Sequence, residues 1–519
     1  MNHLQDPLCQ QYLAGATNSA PKTVSWRPRP AMFASFKSAR PNGTFSISEI
    51  VTKLLCALSL QIGTLFVQPA ASAHANINLC SPGTVVPVGG GRTGVEVGWT
   101  WTGTTVLFDA IARGKAIYFG YYDADRWLTV AKLDRASGIV CRSRLSSQFG
   151  GWDSHNSVAL TFDRRGQIHI AGNMHASPLV YGAAASSDTI DNIALSSMIG
   201  RDENRVTYPS FINGPDGNLY FAYRSGWSGN GDWFLNVLDD NKWKRVTDHP
   251  IFSATWQGGP TNAYPSVIRV FQDGYVHIAV VWRRTPDVAT NYAITYARTR
   301  DFLHWEDHNG RPFALPMDPG KSDMIEYTGQ AQGLVNSARV GVTTAGKPII
   351  AYTKYGPNGK NVIILASPAM GEWHHKIISA AEKKTVVSGG GTLPNVPAFG
   401  DPNISSETLG SIDVTFPSEK RKRIFFDPET LNIVEPPEVK PQDRVIHAIN
   451  IPPPLGLEDV RENSRSVRVD GSTSTTAGSI VYFSQGINRD RARRCSSTHP
   501  VACNPPSSPL IFVPDPQLP

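Results

Sequence analysis

Cysteine is scarce in this chain. Six stand in 519 residues, none of them in a Cys-x-x-Cys pair, and no dense carboxylate cluster accompanies them. The pattern therefore offers no zinc or calcium signature. Catalysis is expected to need no metal and no cofactor, and a structural ion is left open. Surplus positive charge is scarce as well, once it is located. The formal net charge is +6, but residues 1–73 hold six of the 49 Lys/Arg and only two of the 43 Asp/Glu. The remainder is close to neutral, which gives no case for nucleic-acid binding by bulk charge. Helical periodicity is missing too: no long stretch repeats apolar residues at three- and four-residue intervals.

What is present begins with a leader. Residues 54–67 form an apolar run after Lys53, and Ala71-Ser72-Ala73 offers a small-residue cleavage site. The run is shorter than the ~20 residues a spanning helix needs, so it reads as the apolar part of a secretory signal. Residues 1–73 are read as a presequence, with Met32 as an alternative start. The mature chain is expected to begin near His74, to be secreted or periplasmic, and to carry no membrane segment after cleavage. Four cysteines then remain (Cys80, Cys141, Cys495, Cys503), an even number that allows two disulfides. Cys495 and Cys503 are near enough in sequence to close a small loop.

A turn glycine followed by a β-rich apolar run recurs along the chain, at Gly114, Gly166, Gly217, Gly274 and Gly346. Each glycine suits a hairpin and each run a strand. Repeats of about 50 residues holding several strands indicate a β-propeller. Arg423–Phe426 and Ser479–Phe483 could supply two more units. The expected fold is all-β, a seven-bladed β-propeller over residues 80–485 with disordered N- and C-terminal tails. A pair of sandwiches is the rival. Residues 383–416 are expected to be a long loop, and 487–519, rich in Pro, Ser and Arg, a disordered tail. Arg489–Arg494 reads as part of that solvated tail. Ala297–Trp305 is a degenerate Asp-box with a structural role.

Four polar residues at predicted strand edges carry the chemistry: His155 in Asp153-Ser154-His155-Asn156, His175, Tyr208 in Tyr208-Pro209-Ser210, and Arg224 in Tyr223-Arg224-Ser225-Gly226. Together they can move a proton beside a carboxylate and neutralise that carboxylate without a metal. Taken singly, each is more often structural. His169 and His277 alternate within strands and read as packing residues, and His374-His375 as surface.

These segments resemble the BNR-repeat (bacterial neuraminidase-like repeat) family, which includes propeller-type ulvan lyases. Asn262-Ala263-Tyr264-Pro265, Val281-Trp282-Arg283 and Gly333-Leu334-Val335-Asn336 add to the likeness, which spans roughly residues 95–380. The C-terminal third matches poorly. The resemblance implies a seven-bladed propeller that cleaves a sulfated rhamnose–uronate polysaccharide by elimination. It implies proton transfer by His155 and Tyr208, a carboxylate facing Arg224, and His175 as a second histidine. It also implies a cleft lined by Tyr264, Arg283 and Asn156.

Elimination suits this set. Removing the C5 proton of a uronate builds a second charge beside an existing carboxylate, which an arginine can stabilise. Histidine suits the base. Tyrosine can donate to the leaving oxygen, and can act as base only where cations lower its pKa. The expected partner is an acidic polysaccharide, met by a monomer. Two alternatives share the scaffold: a glycoside hydrolase, which needs two carboxylates about the bond and has few candidates here (Asp153, Asp232), and a non-catalytic carbohydrate-binding propeller.

Overall fold

The structure, a computed structural model, describes residues 79–437, 451–472 and 475–515. The presequence, Met32 and the His74 start lie outside the described residues. Strands make up nearly all the regular structure. The one helical element among the described residues is a single 3-10 turn, Val288–Thr290, and no helix there is long and apolar enough to cross a membrane.

The recurrent glycines do what the hairpins require. Gly114, Gly166, Gly217, Gly274 and Gly346 all take φ between 56° and 79°, a left-handed conformation that costs glycine little. Each leads into a strand: Ala116–Tyr122, Ile168–Ala171, Leu219–Trp227, Val276–Arg283 and Pro348–Tyr355. These strands are apolar on both faces because both are buried, and successive antiparallel sheets pack face to face. Strand Asp109–Arg113 leads an antiparallel run inside a ten-stranded sheet, and Ala159–Phe162 is the edge of a four-stranded one. Val206–Asn213 and Asn262–Pro265 each lead an antiparallel run within one eleven-stranded sheet, and Arg339–Val342 begins a four-stranded one. Lys422–Phe426 lies in a further five-stranded sheet, whereas Thr476–Gln485 joins the ten-stranded sheet that holds Asp109–Arg113. The architecture is all-β and propeller-like.

Closure comes from the end of the chain, and it corrects the expected disordered tail. Ser508–Pro514 inserts between Thr476–Gln485 and Arg92–Thr100, with Val95 opposite Phe512. Leu510, Ile511, Phe512 and Val513 are at most 2% exposed, so the folded unit runs past residue 485. The Pro/Ser/Arg composition of 487–507 hid a short apolar strand beyond it. Ahead of that strand, Cys495 and Cys503 form the disulfide their spacing allowed, and Cys80 pairs with Cys141 across two neighbouring strands. Residues 383–416 are not one loop either. They hold strands Ala398–Phe399, Asn403–Ile404 and Gly410–Thr415.

The Asp-box is structural as expected. Asp301 Oδ1 accepts from the amides of Leu303 (2.9 Å) and His304 (2.8 Å), and Trp305 is buried. His169 and His277 are buried too, each bonded through Nδ1 to a tyrosine hydroxyl, Tyr181 and Tyr296, at 2.8 and 2.6 Å. His304 and His308 stand four residues apart, the spacing of a helical metal pair, but they lie off any helix and pair separately with Asp301 and Asp323.

If Ser508–Pro514 is the closing strand, Phe512→Ala should cost about 3–5 kcal/mol, as for a buried aromatic side chain. Urea unfolding of wild type and variant measures it. A cost near zero would mean that residues 508–514 are the loose tail their neighbours' composition suggested.

Candidate active site

Tyr208 sits where its strand breaks pairing. Strand Val206–Asn213 is in register with Leu219–Trp227 at Thr207–Arg224 and again at Ser210–Ala222, with a bulge at Tyr208-Pro209. Proline has no N–H for the ladder, so the irregularity is built into Tyr-Pro. Tyr208 takes φ 58°, which is costly for a bulky residue and is sustained only where the surroundings fix it. Here its ring stacks on Trp233 at 6.0 Å and 7° and meets Tyr264 edge-on.

His155 lies in the turn between strands Ile139–Gln148 and Ala159–Phe162, and His175 opens the short strand His175–Ser177. One carboxylate holds both. Asp153 Oδ1 accepts from the backbone N–H of His155 and lies 2.7 Å from its Nδ1, while Oδ2 is bonded to Nδ1 of His175. The two imidazoles stack at 4.1 Å and 26°. Burial alone would raise the Asp153 pKa, but the hydrogen bonds and charges of the two imidazoles outweigh it and hold the carboxyl far below the usual range. Asp153 therefore stays ionised. These three residues also place one ligand atom each within 4.8 Å of one another. As they stand, the nitrogens are hydrogen-bonded directly to the carboxylate, closer than the roughly 3.4 Å between donors around a tetrahedral zinc ion.

Arg224 is fully buried, and Nε, Nη1 and Nη2 have no hydrogen-bond partner among the described residues. Gly231 makes room for its stem, since a Cβ there would stand 2.9 Å from Arg224 Cγ. The guanidinium lies 4.9 Å from the Tyr208 ring centre and 5.9 Å from that of Tyr264. Arg283, by contrast, reaches a cavity wall, with Nη2 bonded to Ser228 Oγ and Tyr264 Oη.

That cavity, about 240 Å³, is lined by His155, His175, Tyr208, Arg283 and Thr392 among others. A second, of about 310 Å³, shares Tyr208 and Asn336 and adds Trp233, Tyr264 and apolar residues. Tyr208 thus stands between the two. No carboxylate lines either cavity among the described residues. Burial pushes the Tyr208 hydroxyl well above the ordinary tyrosine pKa and nearby Tyr264 adds to this, while Arg224 and Arg283 pull less strongly the other way. Tyr208 is therefore a neutral phenol, a proton donor.

The structure thus brings His155, His175, Tyr208 and Arg283 to one cavity, with Tyr264 in the neighbouring one. Two expected residues are placed differently. Arg224 lies behind Tyr208 and Tyr264, off the cavity wall. Asn156 is buried in the Asp153 turn, its side-chain amide donating to the Asp153 carbonyl at 3.0 Å. Asp232, a candidate hydrolytic acid, accepts from the Ala254 amide at 2.7 Å and is likewise off both cavities. Sequence reading passed over Asp153 as a histidine anchor, and Thr392 and Ser228 as cavity walls. An acid two residues before a histidine was the one available signal.

A family model described as a BNR repeat-containing family member matches residues 116–381, just over half of the chain. No curated protein matches the sequence. Among solved structures, an ulvan lyase of a polysaccharide lyase family aligns at 12% identity, over 81% of this chain and 95% of that one. Its TM-score is 0.55 alone and 0.54 bound to -[GlcA(1-4)Rha3S]-. An α-L-arabinanase of Penicillium chrysogenum aligns at 10% identity and a TM-score of 0.34, over 69% of this chain and 92% of that one.

The direction of the Tyr208 shift predicts a pH behaviour. Difference absorbance between wild type and Tyr208→Phe should show no phenolate from this residue below about pH 10, the ordinary tyrosine value. Any loss of activity at lower alkaline pH then belongs to another group. Ionisation of Tyr208 near pH 8–9 would instead make it a candidate base.

Proposed function

This chain belongs to the BNR repeat-containing family, and on that premise we propose that it is a secreted polysaccharide lyase that cleaves a uronate-containing polysaccharide of the ulvan type by β-elimination. The same reading takes the propeller as seven-bladed. Five antiparallel runs that follow turn glycines, with the runs that hold Lys422–Phe426 and Thr476–Gln485, support that count. The leader and Ala71-Ser72-Ala73 support export.

One observation carries the proposal: a buried guanidinium with no hydrogen bond or ion pair among the described residues, beside a neutral tyrosine whose ring neighbours one of a pair of stacked histidines. A charge buried unpaired costs several kcal/mol. Such a cost is retained where an anionic ligand or transition state offsets it. In the proposed reaction the uronate carboxylate meets Arg283 at the cavity wall, and Tyr264 and Ser228 hold that guanidinium in place. Arg224 supplies a fixed positive charge from behind Tyr208, where the second negative charge builds as the C5 proton leaves. His155 is the base: Asp153 holds Nδ1, which leaves Nε2 to accept the proton. The C5–H electrons form the C4–C5 double bond, and the C4–O bond breaks. Tyr208 protonates the leaving oxygen. His175 braces His155 by stacking and through the shared carboxylate.

Against hydrolysis weighs the absence of carboxylates from both cavity walls among the described residues, together with the full engagement of Asp153 by two imidazoles.

The test separates function from stability at Arg224. Arg224→Met removes a buried unpaired charge at similar volume, so unfolding free energy should be unchanged or raised by about 1–4 kcal/mol. Release of unsaturated product from uronate polysaccharides should fall on the order of 10²-fold or more. Tyr208→Phe should lose about 10²–10⁴-fold with its fold intact. An Arg224→Met variant that unfolds, or that keeps wild-type rates, would make Arg224 a packing residue and remove the ground for the proposal.

A further inference from the structure

Two segments beyond the family-matched span interlock over His155. One is the triple-glycine stretch Gly389-Gly390-Gly391 with Thr392, and the other is Arg489-Asp490. Their fit is close. A Cβ on Gly391, at φ 70°, would stand 2.8 Å from the Arg489 carbonyl oxygen, and one on Gly389 would stand 2.7 Å from Arg489 Nη1. Arg489 and Asp490 both take left-handed φ, 51° and 61°. Two adjacent non-glycine residues in that region carry a cost that the contacts must offset. The result aims the Asp490 carboxylate inward, where its side chain is 13% exposed.

Asp490 there accepts from three donors. Oδ2 takes the Thr392 amide at 2.7 Å, and Oδ1 takes the Ser154 amide at 3.3 Å and the Ser154 hydroxyl at 3.2 Å. Oδ2 also lies 3.6 Å from His155 Nδ1. Thr392 in turn brings its hydroxyl to 3.3 Å from both ring nitrogens of His155 and to 2.9 Å from Ser154 Oγ. One carboxylate thus ties the residue before His155 to the residue that stands over its ring.

We propose that Asp490 is a positioning residue for His155, acting through Thr392 and Ser154. Asp153 fixes one edge of the imidazole from within its own turn, and Asp490 fixes the wall it faces. The ring is then held in one orientation and one tautomer, with Nε2 toward the cavity. This inference rests on the proposed lyase reading for its kinetic consequence, though not for its geometry. Asp490→Asn is the sharpest probe, because one side-chain oxygen cannot serve donors that approach two.

The experiment uses the full chain labelled with ¹⁵N-histidine, with the His155 ring signals assigned by their loss in His155→Gln. Asp490→Asn should shift the His155 ring nitrogens and leave those of His169 and His277 in place. On a uronate polysaccharide its kcat should fall on the order of 10²-fold, the cost of a misplaced group, with KM little changed. If Asp490→Asn melts well below wild type, Thr392→Val, which keeps the shape and removes the hydroxyl, takes its place with the same expectations. Unshifted His155 signals overturn the inference, and so does an unchanged kcat in an active enzyme. A wild type that releases no unsaturated product overturns the lyase reading instead, and the ring spectra then decide the positioning role alone.

Discussion

A guanidinium buried without a partner is the constraint around which this site is arranged. Charged side chains are almost never buried fully unless they are paired, and Arg224 makes no hydrogen bond or ion pair among the described residues. Its neighbours are shaped to it. Gly231 leaves space for the stem, and the rings of Tyr208 and Tyr264 offer their faces. Ring faces attract a cation by about 0.5–2 kcal/mol, less than the burial costs. The remainder is stored in the free protein, and an anion at the adjacent cavity would recover it. The strain at Tyr208 belongs to the same arrangement, since the bulge that holds φ at 58° also sets its ring beside Arg224.

In the proposed reaction, acid and base are separated by environment. Tyr208 is surrounded by rings and cations, and burial prevails, so its hydroxyl keeps its proton. Asp153 lies between two imidazoles and stays ionised despite its burial. The ring centres of His155 and Tyr208 are 5.9 Å apart, a separation that lets one sugar ring lie against both. A proton can then leave on one side while another arrives at the leaving oxygen, with positive charge fixed beneath.

Much of this was legible in the sequence because it is local. The five turn glycines and the strands after them follow from φ preference and apolar runs. The two histidines and Tyr208 were picked at strand edges and Arg283 through the family resemblance, and the four line one cavity. What was not legible depends on distant contact. Asp490 sits in a run of arginines whose composition reads as solvated tail, and only the closure of the fold by Ser508–Pro514 brings it to His155. The role of Arg224 was read as direct contact because sequence gives a residue's type and not its depth. Two tyrosines from different strands, Tyr208 and Tyr264, stand between it and the cavity. Asn156 was placed in the cleft through the family resemblance, yet the turn at Asp153 directs its amide to the Asp153 carbonyl.

The central claim is that bond cleavage here proceeds by proton abstraction and not by attack of water. It is tested most directly by incubating the purified protein with a uronate polysaccharide in oxygen-18 water and analysing the new chain ends by mass spectrometry. Elimination predicts non-reducing ends that carry a C4–C5 double bond, with no solvent oxygen incorporated at the cleaved linkage. Saturated products carrying one oxygen-18 per cleavage would contradict it and identify a hydrolase on this propeller-like scaffold.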